Sequence, residues 1–173
     1  MKRVFLGMTG LAVALVLAGA TYAQGANPRG KSEVMVGGKT VSVEYGRPSL
    51  KGRTVEDLLG QLPAGQVWRL GADTSTTIST TGDVMFGDTK IAKGDYSLWA
   101  RKEADKSWKL VFNSQHGQWG TQHDDSKDVA AVSLKESKAA KSSEEVTITL
   151  SKADMGGKIT ILWGDLELST DFK

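Results

Sequence analysis

The sequence predicts an all-β protein, and three observations lead to that prediction. Apolar residues recur at every second position in six stretches after residue 32, the first being Val41, Val43 and Tyr45. This is the period of a strand with one buried face. Short glycine-containing turns separate the stretches, and Gly37-Gly38 has the form of a two-residue hairpin turn. No stretch between them has the length and pattern of the helix that a parallel βαβ unit requires.

We therefore expect a single antiparallel β-sandwich or jelly-roll-like domain with one short helix near residues 54–60. The helix is predicted from TVEDLL, in which Thr54 can act as the N-cap and Glu56 and Asp57 suit the first turn. Residues 135–145, KESKAAKSSEE, are polar and unpatterned. They predict a solvated loop between two strands.

Residues 1–23 have the pattern of a secretory signal peptide. Lys2 and Arg3 precede the apolar run VFLGMTGLAVALVLAGA, and small residues follow it. We place the cleavage site after Ala23, with Ala20 as the alternative. A flexible segment (24–31) and the all-β domain (32–173) would follow, in the periplasm or outside the cell. Leu17-Ala18-Gly19 would suit a lipoprotein signal, but the next residue is Ala20 and not the cysteine that carries the lipid. We therefore expect no lipid anchor and no membrane association after cleavage.

Charge and cysteine content exclude several classes of function. The 22 Lys and Arg residues include Lys2 and Arg3, so removal of residues 1–23 leaves 20 bases against 20 acids. A neutral mature chain has no general attraction for nucleic acid or anionic membranes. The sequence has no cysteine, which excludes thiol nucleophiles, thiolate metal sites and disulfides.

The candidates for metal binding and catalysis are weak. His116 and His123 are the only histidines, and Asp124 and Asp125 lie next to His123. Their spacing matches no standard metal motif, so we predict neither a metal site nor a cofactor. No nucleophile-elbow motif is present.

Arginine and tryptophan residues give better candidates for ligand binding. VEYGRPSLKGR (43–53) places Arg47 and Arg53 next to the short helix, where they could hold an anion or could bond to the carbonyls and acids of the fold itself. It is not a phosphate-binding P-loop, because Arg53 stands where that motif has lysine. Planar donors and aromatic rings together suit sugars and carboxylates. The candidate binding residues are Arg47, Arg53, Trp68, Arg69, Asn113 and Trp119, and Trp99 is a further candidate for an exposed aromatic.

Four ordered stretches resemble a known family. VSVEYGRPSLKGR, GQVWRLGADTSTTI, KGDYSLW and WKLVFNSQHGQWG are similar to the exported bacterial family called domain of unknown function 2911. The resemblance extends over residues 32–172 and implies export and an all-β fold, without an activity. The chain departs from the family pattern at Asp73, where Glu or Asn is usual, and at Thr121-Gln122-His123, where aromatics are frequent. Neither histidine belongs to the pattern.

Three hypotheses for function follow. The first is a non-catalytic module that binds a small polar, anionic or carbohydrate ligand. The second is a hydrolase of envelope material with Glu44 or Asp73 as acid/base, and the third is a structural or interaction domain. The sequence does not address the oligomeric state. Binding predicts that the candidate side chains converge in one open site, whereas a structural role predicts that they bond within the fold.

Overall fold

A computed structural model describes residues 27–173. The expected signal peptide lies outside the described residues. The strands are β1 (Arg29–Val36), β2 (Lys39–Gly46), β3 (Val67–Trp68), β4 (Thr77–Thr80), β5 (Val84–Phe86), β6 (Thr89–Ile91), β7 (Gly94–Lys102), β8 (Trp108–Asn113), β9 (Asp128–Ala153) and β10 (Gly156–Phe172). One α-helix, α1 (Val55–Leu59), and a 3-10 helix (Asp125–Lys127) complete the described secondary structure. No helix in this part of the chain is long and apolar enough to span a membrane.

The strands form an antiparallel sheet that is nearly closed into a barrel. Its order is β1-β2-β4-β7-β8-β9-β10, with β3 paired to β7, and β5 and β6 form a separate two-stranded hairpin. The predicted all-β class and the hairpin between β1 and β2 are confirmed. β1 begins at Arg29, so regular structure starts three residues before the expected domain boundary at residue 32.

The period-two pattern marks the face that builds the core. Val41, Val43 and Tyr45 of β2 are buried, as are Leu98 and Ala100 of β7. Burial of such apolar surface contributes about 25 cal/mol per Å² to the free energy of folding. The alternation in the sequence therefore identifies the residues that stabilise the barrel interior.

The short helix is confirmed at the predicted place. Thr54 is the N-cap of α1, and its side chain accepts a hydrogen bond from Asp57 N while the Asp57 carboxylate accepts from Thr54 N. This reciprocal capping box satisfies two backbone donors that the first turn of a helix leaves free. Val55 and Leu59 are the buried residues of α1, so the helix attaches to the barrel through these two side chains.

The prediction of a solvated loop at residues 135–145 is wrong, because β9 continues through them. Most of these side chains are exposed or half-buried on both faces of the strand, so no apolar alternation marks it. Backbone pairing with β10 orders the segment, with Lys138 opposite Leu166 and Ser143 opposite Gly164. Between these pairs β9 advances five residues and β10 only two, which gives β9 a bulge.

The barrel closes where the chain after β2 meets the second half of β9. We call this contact the closing seam, and it joins residues 47–51 to residues 144–147. Leu50 N donates to Glu144 O at 2.9 Å, and Val146 N donates to Pro48 O at 3.1 Å. Ser49 and Glu145 form an isolated antiparallel bridge between these two bonds. These contacts satisfy backbone groups that would otherwise lie at an open sheet edge.

Side chains of the VEYGRPSLKGR stretch (43–53) add further contacts across the closing seam. Arg47 donates to Val146 O and to Thr147 Oγ1, both at 3.3 Å, and forms an ion pair with Glu145 at 3.1 Å. Ser49 Oγ donates to Glu144 Oε1 at 2.6 Å, and Lys51 N donates to the same oxygen at 2.9 Å. The carboxylate of Glu144 is therefore an acceptor that holds the corner after β2 in place.

The seam predicts a specific acid sensitivity. The Ser49 hydroxyl, followed by the Lys51 backbone N–H, lowers the pKa of the Glu144 carboxyl below its ordinary value of 4.5. The stabilisation by ionised Glu144 is therefore fully present above its unfolded pKa and is lost as pH falls through the lower folded pKa. We expect Glu144→Gln to reduce the free energy of unfolding near neutral pH. The free energy of unfolding of this variant should also fall less steeply than that of the unsubstituted protein as the pH is lowered. Urea unfolding between about pH 3 and pH 7 measures both effects.

Glu136→Gln is the matched control, because Glu136 is an exposed acid earlier in β9 and its carboxylate has no hydrogen bond within residues 27–173. If both variants show the same acid-side slope as the unsubstituted protein, Glu144 has no such role.

Candidate functional site

Four of the six predicted binding residues make their contacts within the fold. Arg47 belongs to the closing seam, and Arg53 Nε donates to Leu50 O at 2.9 Å. Trp68 is buried and stacks on Trp163 with ring centroids 5.5 Å apart and planes at 11°. Arg47 and Arg53 thus bond to carbonyls and acids of the fold itself, which was one of the two alternatives for these arginines. Trp68 belongs to the core.

Asn113 is also buried and holds the connection between β8 and β9, residues 114–127, which we call the covering loop. Its Nδ2 donates to Asp124 O at 2.7 Å and to Asp128 Oδ1 at 2.8 Å. Its Oδ1 accepts from Gln115 N at 3.0 Å. The amide thus bonds both ends of the loop, and its position leaves no polar group for a ligand.

The covering loop buries the outer face of β7. Trp99, a candidate for an exposed aromatic, is only 2% exposed, and that expectation is wrong. Its ring lies 4.7 Å from the His123 ring, and its Nε1 donates to Ser97 Oγ at 2.9 Å. His123 Nε2 is 2.9 Å from Asp128 Oδ1. The loop therefore adds a second small core outside the barrel. The alternation of apolar residues along β7 marks only the face inside the barrel, so it does not indicate this second core.

The covering loop pairs with a second loop, and we call the two segments, residues 69–76 and 117–120, the paired loops. Thr74 and Trp119 form an antiparallel bridge. Ser75 N donates to Gln118 O at 2.9 Å, and Gly120 N donates to Asp73 O at 2.7 Å. Backbone bonds thus fix the two loops to each other, so side chains on them have defined positions.

Backbone strain is concentrated in the first of the paired loops. Leu70 and Asp73 have positive φ angles of 54° and 62°, a region that costs free energy for residues other than glycine. Leu70 is fully buried, and Asp73 Oδ2 accepts from Asn27 N at 3.0 Å and Asn27 Nδ2 at 3.1 Å. Strain of this kind persists where the surroundings hold it, which is frequent at binding sites.

We call one surface of the paired loops the tryptophan rim. It is made of Arg69, Thr74 and Trp119 on the paired loops together with Arg29 at the start of β1. Trp119 is 45% exposed. Arg69 is half-buried, its Cδ passes close to Gly120, and its guanidinium makes no hydrogen bond or ion pair within residues 27–173. Arg29 Nη1 donates to Thr74 O at 3.3 Å. Arg69 and Trp119 are thus the two predicted residues that lie on the paired loops, and the Arg69 side chain passes close to Gly120, which follows Trp119.

Comparison with known families gives one match. The model of the family described as Protein of unknown function (DUF2911) matches residues 27–172. The chain belongs to this family. A search of curated proteins and a search of solved structures found no match for it.

The four stretches that carry the family resemblance meet at the paired loops of this DUF2911 domain. Gly46 of the first stretch lies against the backbone of Ala72 in the second. Gln118 of the fourth stretch donates through its Nε2 to Ser97 Oγ of the third at 3.4 Å. The stretches are distant in sequence, so their meeting is a property of the tertiary structure.

Arg29 and Thr74 are the members of the tryptophan rim that the sequence interpretation missed, and Arg29 is the charged one. It lies in the segment (24–31) that was expected to be flexible, whereas it begins β1 and pairs with Gly46. Its basic side chain at the start of β1 is the signal that could have indicated it.

The residues considered as metal ligands or as catalytic acids form no common site within the described residues. Within the described residues, no group of three or more His, Cys, Asp or Glu side chains is arranged to hold a metal ion. His116 is exposed, and Ser126, mainly through its hydroxyl, lowers the pKa of Asp124. Glu44 pairs with Lys31 at 3.4 Å on the surface. Neither Glu44 nor Asp73 lines either of the two clefts described next.

Two clefts in the described structure lie away from the tryptophan rim. The first, of about 470 Å³, lies between the β5–β6 and β9–β10 turns, and the second, of about 720 Å³, lies beside α1. None of the six predicted binding residues lines either cleft.

The close contact at Gly46 gives a test of how the site is supported. A Cβ atom there would lie 2.2 Å from Ala72 O, a backbone atom that cannot move without displacing the strained loop. We expect Gly46→Ala to lower the free energy of unfolding by about 2 kcal/mol or more. Urea unfolding followed by fluorescence measures this loss.

Gly82→Ala is the control, because its Cβ would meet only the flexible Lys39 side chain at 3.0 Å. A loss of similar size in both variants would contradict the importance of the Gly46 contact.

Proposed function

We propose that this domain is a non-catalytic binding module that recognises a carboxylate-bearing glycan through the tryptophan rim. The observation that carries the proposal is the exposed Trp119 on one of the paired loops together with Arg69 on the other. The Arg69 side chain passes close to Gly120, and its guanidinium has no partner within the described residues. An indole face stacks on the apolar face of a sugar ring. A guanidinium binds a carboxylate through two parallel hydrogen bonds.

The form of the site supports an extended ligand. Small molecules bind in concave sites that enclose most of their surface, whereas Trp119 and Arg69 line neither of the two clefts. An open platform instead suits one or two units of a longer chain. The backbone bonds of the paired loops hold the platform before ligand arrives, which lowers the entropic cost of binding.

The hydrolase alternative gains no support from a specific contact. Glu44 is engaged by Lys31, and the buried carboxylate of Asp73 accepts two hydrogen bonds from Asn27. A structural role is favoured for Arg47, Trp68 and Asn113, because each of them has its main contacts inside the fold. Arg53 is exposed, but its Nε donates to Leu50 O in the corner after β2. In our proposal the structural residues position the rim, and the rim binds.

Export is part of the proposal, since it would place the rim in contact with envelope or extracellular glycans. We expect expression of the full chain in a bacterial host to yield a periplasmic or secreted protein that begins at Gln24. Intact-mass measurement identifies this N-terminus, and a variant without residues 2–23 should remain in the cytoplasm. Recovery of the uncleaved chain from the membrane fraction would contradict export by this route.

Binding of the rim can be tested with polygalacturonate as an acidic polysaccharide and dextran as a neutral one. We expect the protein to be retarded by polygalacturonate in affinity electrophoresis. Trp119→Ala should weaken binding at least tenfold. Arg69→Lys should also weaken it, because lysine cannot form the bidentate contact.

Trp119→Tyr should retain most of the affinity, since it keeps an aromatic face. Lys152→Arg is the control for exchange of one cation for another away from the rim, because Lys152 is an exposed residue of β9. Equal retardation by dextran, or equal binding by Trp119→Ala, would show that the rim is not the site.

A further inference from the structure

The cleft of about 470 Å³ is built by two turns and the end of the last strand. The β5–β6 turn contributes Gly87 and Asp88, and the β9–β10 turn contributes Asp154 and Met155. Residues 171–173 form the third side. Its size lies in the usual range for binding sites, and it shares no residue with the tryptophan rim.

Apolar side chains form part of the lining, and one of them is unusually open to solvent. Met155 is 81% exposed, whereas Phe172 is only 4% exposed and packs on Phe86 with ring centroids 5.2 Å apart. Met85 and Lys173 exchange both backbone hydrogen bonds, at 2.6 Å and 2.9 Å. The cleft therefore combines a fixed wall with a flexible thioether, a side chain that adapts to varied apolar partners.

The charged residues around the cleft are mostly acidic. Asp88, Asp154 and Asp171 line it, and Lys173 is the one basic residue among its lining residues. All three aspartates are exposed, and none of them makes a hydrogen bond or an ion pair within residues 27–173. An apolar cleft with an acidic margin complements an apolar side chain flanked by cations.

We propose that this cleft docks a short extended segment of a partner protein in which an apolar residue is flanked by lysine or arginine. The apolar side chain packs against Met155 and Met85. The flanking cations face the three aspartates, which orient the segment and accelerate its association. Residues 24–173 have equal numbers of bases and acids, but the charges are unevenly distributed. The tryptophan rim is locally basic and this cleft is locally acidic.

Fluorescence anisotropy with a fluorescein-labelled hexapeptide of alternating leucine and lysine tests the proposal, and a peptide of alternating leucine and glutamate is the control probe. We expect the lysine peptide to bind and the glutamate peptide not to bind. The triple variant D88N/D154N/D171N should bind the lysine peptide about tenfold more weakly. The affinity of the unsubstituted protein should fall with added salt, and that of the triple variant should change little.

Met155→Ser should weaken binding several-fold by removal of apolar contact. Met35→Ser is its matched control, because Met35 is 61% exposed on β1 and does not line the cleft. All these positions are exposed, so the melting temperature should not change. Absence of lysine-peptide binding, equal binding of the glutamate peptide, or unchanged affinity in the triple variant and Met155→Ser would each overturn the proposal.

Trp119→Ala separates this cleft from the tryptophan rim. It should leave lysine-peptide binding unchanged, and its loss of peptide binding would overturn the assignment to the cleft. A negative result with the peptides would not affect polysaccharide binding, which depends on different residues.

Discussion

The rest of the structure depends on the hydrogen bonds of the closing seam. A curved sheet that remained open would expose unpaired backbone groups along its edges, and the chain contains no cysteine that could join these edges covalently. Closure is instead achieved by backbone bonds at Leu50 and Val146 and by the Arg47 guanidinium, which bonds a carbonyl, a hydroxyl and a carboxylate of β9. A planar side chain with five donors is suited to this task, whereas a lysine would satisfy fewer acceptors.

The seam also determines where the tryptophan rim lies. Gly46 directly precedes Arg47 and lies against Ala72, so closure of the barrel holds the strained loop that carries Arg69 and Asp73. That loop in turn binds the covering loop through Gly120 and leaves Trp119 exposed. The path from seam to rim consists of close backbone contacts, which transmit position with little freedom. These contacts give the tryptophan rim, the proposed site, a defined position although it lies on loops.

Local features of the chain were sufficient to predict most elements. The alternation in β2 and β7, the Gly37-Gly38 turn and the capped helix after Thr54 each depend on neighbours a few residues apart. The continuation of β9 through residues 135–145 was not predictable in this way, because a strand exposed on both faces has no apolar alternation. Trp99 was misjudged for a related reason. Its face of β7 became buried only because the covering loop folds over it.

For the candidate site, residue type indicated which side chains could bind a polar ligand, and chain folding decided which of them remain open to do so. Arg47 bonds to Val146, 99 positions later in the sequence, and Asn27 bonds to Asp73 at a separation of 46. No local pattern contains such pairings, since they depend on how the sheet curves and closes. All-β character, the turns and the capped helix therefore follow from the order of residues. The division of the arginines and tryptophans between framework and surface is decided by the tertiary structure, because each buried donor must find its acceptor in three dimensions.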